Sequence, residues 1–351
     1  MSFWSRSGHT LAVLLITGLL TACGAEMEGD LPATVISPNS PTPAPALLAR
    51  SDFDGDAHPD LVVTSQGSIS LWFMKVLNNV LNRVSTQSVL SVPADSKVVG
   101  SADFDRDGKF DILISNNTSK KLSILRLAGS NGASYQSTLP LRGLNGAVDF
   151  AIPSTHVVAG TVDYDFDNDP DILIWNAVAG NDLRILKFQG LQYLGEEVLV
   201  DSNNVATGPG PQYLLVGLYD FPSENRWRIF WQAKTTHPTA GTAGTIYRWS
   251  MTGNQRVAGT AESGIMMNHL NPMAPINLKA SPPWVVAGVQ KYPGDASFSM
   301  ILQNPTVQSS TVGDLKYLRW RFNANLECIG FEYVDGVAFT VGETPPSIQP
   351  N

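Results

Sequence analysis

Three short windows of this sequence concentrate carboxylates: Asp52-Phe-Asp54-Gly-Asp56-Ala-His58-Pro-Asp60, Asp103-Phe-Asp105-Arg-Asp107-Gly-Lys109-Phe-Asp111 and Asp163-Tyr-Asp165-Phe-Asp167-Asn-Asp169-Pro-Asp171. All three read D-x-D-x-D-x-x-x-D. Carboxylates at positions 1, 3, 5 and 9 of a short loop can all point to its concave side, and position 7 can add a backbone carbonyl, here from His58, Lys109 and Asp169. Such an all-oxygen donor set suits a hard cation, Ca²⁺ rather than Mg²⁺, because magnesium takes fewer protein ligands and keeps more water. Without a cation, carboxylates this close repel one another and their pKa values rise. Three Ca²⁺ would bring the formal charge from -8 to about -2.

The spacing matches the first nine positions of an EF-hand loop, but the bidentate Glu of position 12 is missing: Val63, Ile114 and Ile174 stand there. Position 6 needs a residue tolerant of positive φ, and it is Gly108, Asn168 and, less suitably, Ala57. Site one is therefore expected to be the most strained.

The elements that must position these loops are short strands. Leu47-Leu48, Val98-Val99 and Val157-Val158 precede the windows, and Leu61-Val-Val, Ile112-Leu-Ile and Ile172-Leu-Ile follow them. The same frame recurs twice with its acid depleted, from Asp220 through Glu224 to Arg228 and from Lys291 through Asp295 to Ser299; no metal ligand is assigned there, and a side-chain cation could replace the ion. Three residues before position 1 stand Ala49, Gly100, Gly160, Gly217 and Gly288, as strands crowded round an axis require. A later strand also repeats: Leu71-Trp-Phe73, Leu122-Ser-Ile-Leu125, Leu183-Arg-Ile-Leu186, Ile246-Tyr-Arg-Trp249 and Tyr317-Leu-Arg-Trp320. Loop starts lie 51 to 71 residues apart, which fits a four-stranded antiparallel blade. The predicted fold is all-β, a five-bladed propeller over residues 46–341, with repeats starting near 47, 98, 157, 213 and 284. The stretch from Met266 to Pro283 reads as an insertion between the last two blades. Glu332 to Thr340 reads as a last hairpin with an Asp335-Gly336 turn, and 342–351 as a tail.

These units resemble FG-GAP/VCBS repeats, strongly in the first three copies and weakly in the last two. The resemblance implies a propeller whose acidic loops each hold a calcium ion, with binding or adhesion as the usual activity. The family also includes lectin-like members and propellers attached to enzymes, so function does not follow from fold.

The N-terminus points to a membrane anchor. An apolar run from Leu11 to Leu20 has signal-peptide length and is too short to span a bilayer. Leu20-Thr21-Ala22-Cys23 after it looks like a lipobox, which makes 1–22 a lipoprotein signal peptide and Cys23 the lipidated residue. Gly24 in place of Asp implies the outer membrane if the host is Gram-negative, at its exterior or periplasmic face. The only other cysteine is Cys328, so a lipidated chain has no internal disulfide. Residues 23–45, rich in Pro, form a tether of extended, polyproline II character.

The charge of -8, without clustered Lys and Arg, disfavours nucleic acid. Catalytic signatures are missing too: there is no G-x-S-x-G, no H-E-x-x-H, no phosphate-binding Gly loop and no zinc-type His cluster. Asp95, Asp182, Glu196 and Glu262 could meet as a glycosidase pair, although solvated loop positions explain them as well. Trp175, Trp227, Trp231, Trp249, Trp284 and Trp320 fall mostly at strand positions expected in the core, and a minority could stack on a sugar. The reading is a non-enzymatic calcium-binding surface lipoprotein with a protein or matrix ligand. Its rivals are a lectin-like propeller that binds glycans, and a polysaccharide hydrolase or lyase with its site on the axis.

Overall fold

The computed structural model describes residues 51–334, apart from 66, 94, 130–131, 177, 180, 240–241, 260–262, 269–275, 281–283 and 305–316, together with Ser347–Ile348. The anchor, the tether, Leu47-Leu48, Glu262 and the Asp335-Gly336 turn lie outside the described residues.

Five antiparallel sheets form the blades of a five-bladed propeller. Blade two is built from Ser96–Ala102, Asp111–Asn116, Leu122–Ala128 and Ser134–Pro140; blade three from Val157–Val162, Asp171–Trp175, Leu183–Gln189 and Gln192–Val198. Blade four comprises Tyr213–Phe221, Arg226–Ala233, Ile246–Thr252 and Gln255–Arg256; blade five comprises Val285–Gln290, Ser299–Gln303, Tyr317–Phe322 and Cys328–Tyr333. In each, the expected acidic or degenerate loop joins the first strand to the second. No α-helix occurs among the described residues.

Blade one closes the ring. Its strands Leu61–Ser65, Ser68–Leu77 and Val80–Ser91 are completed by Ser347–Ile348, in register Val63↔Ile348. That pairing is equivalent to Val98↔Ile114 in blade two, so a segment read as a tail takes a first-strand position. The insertion also has a structural use. Met267–Asn268 runs parallel to the outer strand of blade five and pairs with Ile276–Asn277, extending that sheet to six strands. Met266 and Leu278 are buried in the adjoining core.

The hydrophobic core is divided into five clusters, each between neighbouring blades. The residue at loop position 2 is aromatic in every copy and inserts into the next blade: Phe53 among Val98, Ile112 and Leu125, Phe104 among Val158, Ile172 and Phe188, Tyr164 among Leu215, Leu218 and Trp227. Phe221 packs with Val286, Val289 and Phe298, and Tyr292 with Leu61, Val63 and Trp72, which brings blade five back to blade one. Each buried ring contributes roughly 1.5–3 kcal/mol of hydrophobic stabilisation. The loops are thus stapled across blade boundaries by their own second residue.

The recurrent small residue has two causes. The ladder shifts register immediately before Gly100, Gly160, Gly217 and Gly288, a β-bulge that bends the first strand. First strands of adjacent blades also touch: a Cβ on Gly100 would lie 2.9 Å from the Thr161 methyl, and one on Gly217 only 2.1 Å from Val289 Cγ2. A Gly217→Val substitution should therefore lower stability by about 1–3 kcal/mol, the usual range for overpacking. Urea titration measures it; an unchanged midpoint would mean the axis is not close-packed at this point.

Candidate metal centre

The three intact loops share one construction. The position 1 carboxylate folds the loop around itself: Asp52 accepts the N–H groups of Gly55, Asp56 and Ala57 at 2.8–3.0 Å, Asp103 those of Asp107 and Gly108, and Asp163 those of Asp167 and Asn168. Two residues in each loop adopt left-handed backbone. These are position 4 (Gly55, Arg106, Phe166) and position 6 (Ala57, Gly108, Asn168). The strain expected at Ala57 is present, at φ 68°, and Arg106 and Phe166 carry it as well, each at 61°. Side chains at positions 3 and 5 accept N–H groups two residues on, as from Asp56 to Asp54 and from Lys109 to Asp107.

Position 9 opens the second strand in blades two and three, stands immediately before it in blade one, and is buried in all three. Asp60, Asp111 and Asp171 each accept a backbone N–H from the third strand, of Met74 (3.0 Å), Leu127 (3.4 Å) and Phe188 (2.9 Å). The other oxygen takes the position 2 N–H of Phe53 or Phe104 in blades one and two. In blade three that oxygen, Asp171 Oδ2, is buried without a hydrogen-bond partner. Burial, reinforced by the neighbouring loop carboxylates, pushes Asp60 and Asp171 up to about 8 and Asp111 up to about 7.

Carboxylate oxygens of Asp52, Asp54 and Asp60 lie within 4.8 Å of one another, as do those of Asp103, Asp105 and Asp111 and those of Asp163, Asp165 and Asp167. The predicted ligands are thereby largely brought together. Asp56, Asp107 and Asp171 are not part of these triplets. Asp56 pairs with Lys75 at 2.9 Å, and Arg126 of the third strand pairs with both Asp105 and Asp107. Lys187 stands 3.6 Å from Asp165. Of the position 7 residues, His58 Nδ1 accepts the Val76 N–H at 3.4 Å, Lys109 Nζ donates to the Gly129 carbonyl, and Asp169 turns its carboxylate to Arg106 and to the Gly190 N–H. All-oxygen triplets, an orphaned buried oxygen and carboxyls that burial and, secondarily, neighbouring carboxylates keep from ionising easily fit a hard cation.

Blades four and five solve the same problem with arginine. At position 9 of loop four, buried Arg228 reaches Glu224 at 2.6 Å and Ser250 Oγ at 3.2 Å, and lies over the Phe221 ring. In loop five the cation comes from the third strand. Arg319, buried, binds Asp295 at 2.5 Å, Ser299 Oγ at 2.9 Å and Glu332 at 2.7 Å, while Asp295 takes over the Tyr292 N–H. Arg319 is not among the residues expected at the site from sequence. Its signal was present: the third strand carries Ile124 and Ile185 opposite Leu113 and Leu173 in intact blades, but Arg248 and Arg319 opposite Phe230 and Ile301 in degenerate ones.

Between blades two, three and four the loops border a cavity of about 200 Å³, lined by Asp103, Asp163, Asp169, Asp220, Thr161 and Phe110 among others. Asp103 and Asp163 spend both oxygens on their own loops, and Asp169 is held by Arg106. Elsewhere, Asp182 and Glu196 meet only across Arg184, at 2.8 and 2.7 Å, and the Arg184 hydrogen bond keeps the Asp182 carboxyl below its ordinary value. Asp95 caps the turn at Thr118. Trp175, Trp227, Trp231 and Trp320 are buried, whereas Trp249 and Trp284 are half-buried.

Residues 52–114 match the FG-GAP-like repeat. No curated protein matches the chain. Among solved structures, exo-β-1,3-galactanase from Phanerochaete chrysosporium aligns at 9% identity and a TM-score of 0.42, over 87% of this chain and 70% of that one. Hydrazine synthase of Kuenenia stuttgartiensis aligns at 11% and 0.32, over 68% of this chain, and the Photorhabdus luminescens Tc holotoxin pore at 13% and 0.38, over 86%. This chain spans 49% and 12% of the latter two. Likeness at this level carries no information on activity.

Raised carboxyl pKa values give the metal-free protein a defined pH response. Folded Asp60, Asp111 and Asp171 hold protons more tightly than the unfolded chain does, so their contribution is complete below the ordinary value of 3.8 and is lost as pH climbs through 7 and 8. Chelator-treated protein should melt at progressively lower temperature from about pH 5 to about pH 8, and calcium should raise the melting temperature more at the upper end. Scanning calorimetry across that range decides it; a metal-free protein that gains stability over this interval contradicts the assignment.

Proposed function

From a five-bladed propeller that carries an FG-GAP-like repeat, we propose a calcium-rigidified interaction module, held at the bacterial surface by a lipid on Cys23, that binds a protein partner. The observation that carries this reading is the contrast within one ring. Three loops gather carboxylates around a space fit for Ca²⁺, and the two that have lost them supply an internal arginine. Asp52, Asp54, Asp60, Asp103, Asp105, Asp111, Asp163, Asp165 and Asp167 would hold the ions, with Asp171 Oδ2 the buried oxygen left for the third. A bound ion supplies charge neutralisation and rigidity to the loops, which in turn fix the position 2 staples.

Interaction is favoured over catalysis because the carboxylates facing the cavity are already engaged, so no free acid and base stand opposed there. It is favoured over sugar binding because four of the six tryptophans that could form a stacking platform are core residues.

Thermal melts test the calcium reading. At calcium 100 times the dissociation constant each independent site adds about 2.7 kcal/mol, and extracellular modules bind in the range of about 10⁻⁴ to 10⁻³ M. Wild type should gain many degrees at millimolar calcium and lose them with chelator, and Asp105→Ala should forfeit one site's share. Asp295→Ala should cost up to about 3 kcal/mol, equally with and without calcium, because it leaves buried Arg319 with Glu332 as its one carboxylate partner. A calcium-insensitive wild type would sink the proposal.

Anchoring is tested separately by detergent partitioning of the protein expressed in a bacterium. Wild type should enter the detergent phase and Cys23→Ala should remain aqueous; equal partitioning refutes the lipid.

A further inference from the structure

We propose that Arg106 couples the second and third ion-binding loops, so that filling loop two raises the affinity of loop three. This rests on the calcium reading above and adds a positioning residue to it. Arg106 occupies position 4 of loop two, in left-handed backbone flanked by Asp105 and Asp107. Its guanidinium crosses the blade boundary to the Asp169 carboxylate, with Nε 2.6 Å from Oδ1 and a second contact to Oδ2. That fork is the geometry in which an arginine fixes orientation as well as charge.

Asp169 is position 7 of loop three, the residue whose backbone carbonyl completes the donor set there. Its side chain is buried, it also accepts the Gly190 N–H at 3.0 Å, and its own N–H donates to Asp167 at 2.8 Å. Loop three is therefore pinned at one ligand position by a residue of loop two. The order of Arg106 depends in turn on the loop that an ion would tighten. Phe104, from the same loop, is already seated in the blade two to three core, so the guanidinium reaches its target from a fixed base.

The ring contains its own control. At the equivalent boundary between loops one and two, position 4 is Gly55 and position 7 is Lys109, whose amine turns to the Gly129 carbonyl of its own blade. No side chain can make the bridge there. Loops two and three should then fill as a coupled pair and loop one independently.

Binding measurements on the purified protein separate these outcomes. Calcium titration calorimetry counts the ions, and terbium luminescence is read in an Asp52→Ala background that removes loop one, where Tyr292 packs near Asp60. Tyr164 at position 2 of loop three then sensitises the ion there, whereas loop two has Phe104. Arg106→Met should weaken terbium binding at loop three at least about fivefold, the lower end of usual coupling, and Arg106→Lys should recover part of it. Asp105→Ala, which disables loop two, should weaken loop three in the presence of Arg106 and have no further effect in the Arg106→Met background. Equal loop three affinity in wild type and Arg106→Met overturns the coupling while leaving the calcium sites intact. Absence of any saturable signal in wild type overturns the calcium reading itself.

Discussion

A carboxylate buried at the base of a loop is costly unless a positive charge answers it, and the arrangement of this ring follows from that requirement. Asp60, Asp111 and Asp171 are committed to backbone hydrogen bonds with the third strand, which tie each acidic loop to its own blade. They cannot move outward to water without breaking those bonds. Lys75, Arg126 and Lys187 touch the outer carboxylates of the loops but leave the innermost oxygens to be satisfied otherwise. Where the buried acid is gone, Arg228 or Arg319 occupies the same ground, and every remaining oxygen of Asp295 has a partner.

Charge compensation and blade packing are linked through a single residue. The aromatic at position 2 buries its ring in the neighbouring blade in all five copies, and in blades one, two and five it also donates its N–H to the buried acid or its substitute. If the acidic loops hold cations as proposed, losing one would loosen a blade interface as well as the loop's own turn. This explains why the loops, normally the most variable part of a fold, carry the strictest pattern in this chain.

Much of this was legible in the sequence, since its signals are local. The D-x-D-x-D-x-x-x-D spacing, the flanking apolar triplets and the small residue three places ahead of each loop all lie within a dozen residues, and they gave five blades and three acidic sites. What escaped depends on distant chain segments. Arg319 acts on Ser299 from another strand, and Asp169 was assigned only a carbonyl because its partner Arg106 sits one blade away. Ser347–Ile348 completes blade one from the far end of the chain, a pairing that two residues cannot announce by pattern. The position 2 aromatic was visible in all five copies, but its destination in the next blade required the packing.

Arginine, unlike a metal, cannot be diluted away. An arc of the ring spanning blades four and five carries its counter-charge in the covalent chain, whereas on the proposed calcium reading the opposite arc would take its counter-charge from the surrounding medium. In an ion-poor environment one arc would then stand uncompensated and the other unchanged. The conversion from one kind of arc to the other needs little: an acid exchanged for Ser or Arg at the ninth loop position, and an apolar residue exchanged for Arg on the third strand. Each repeat can make that exchange independently of its neighbours, so the sensitivity of such a ring to its medium is a quantity that can be set one blade at a time.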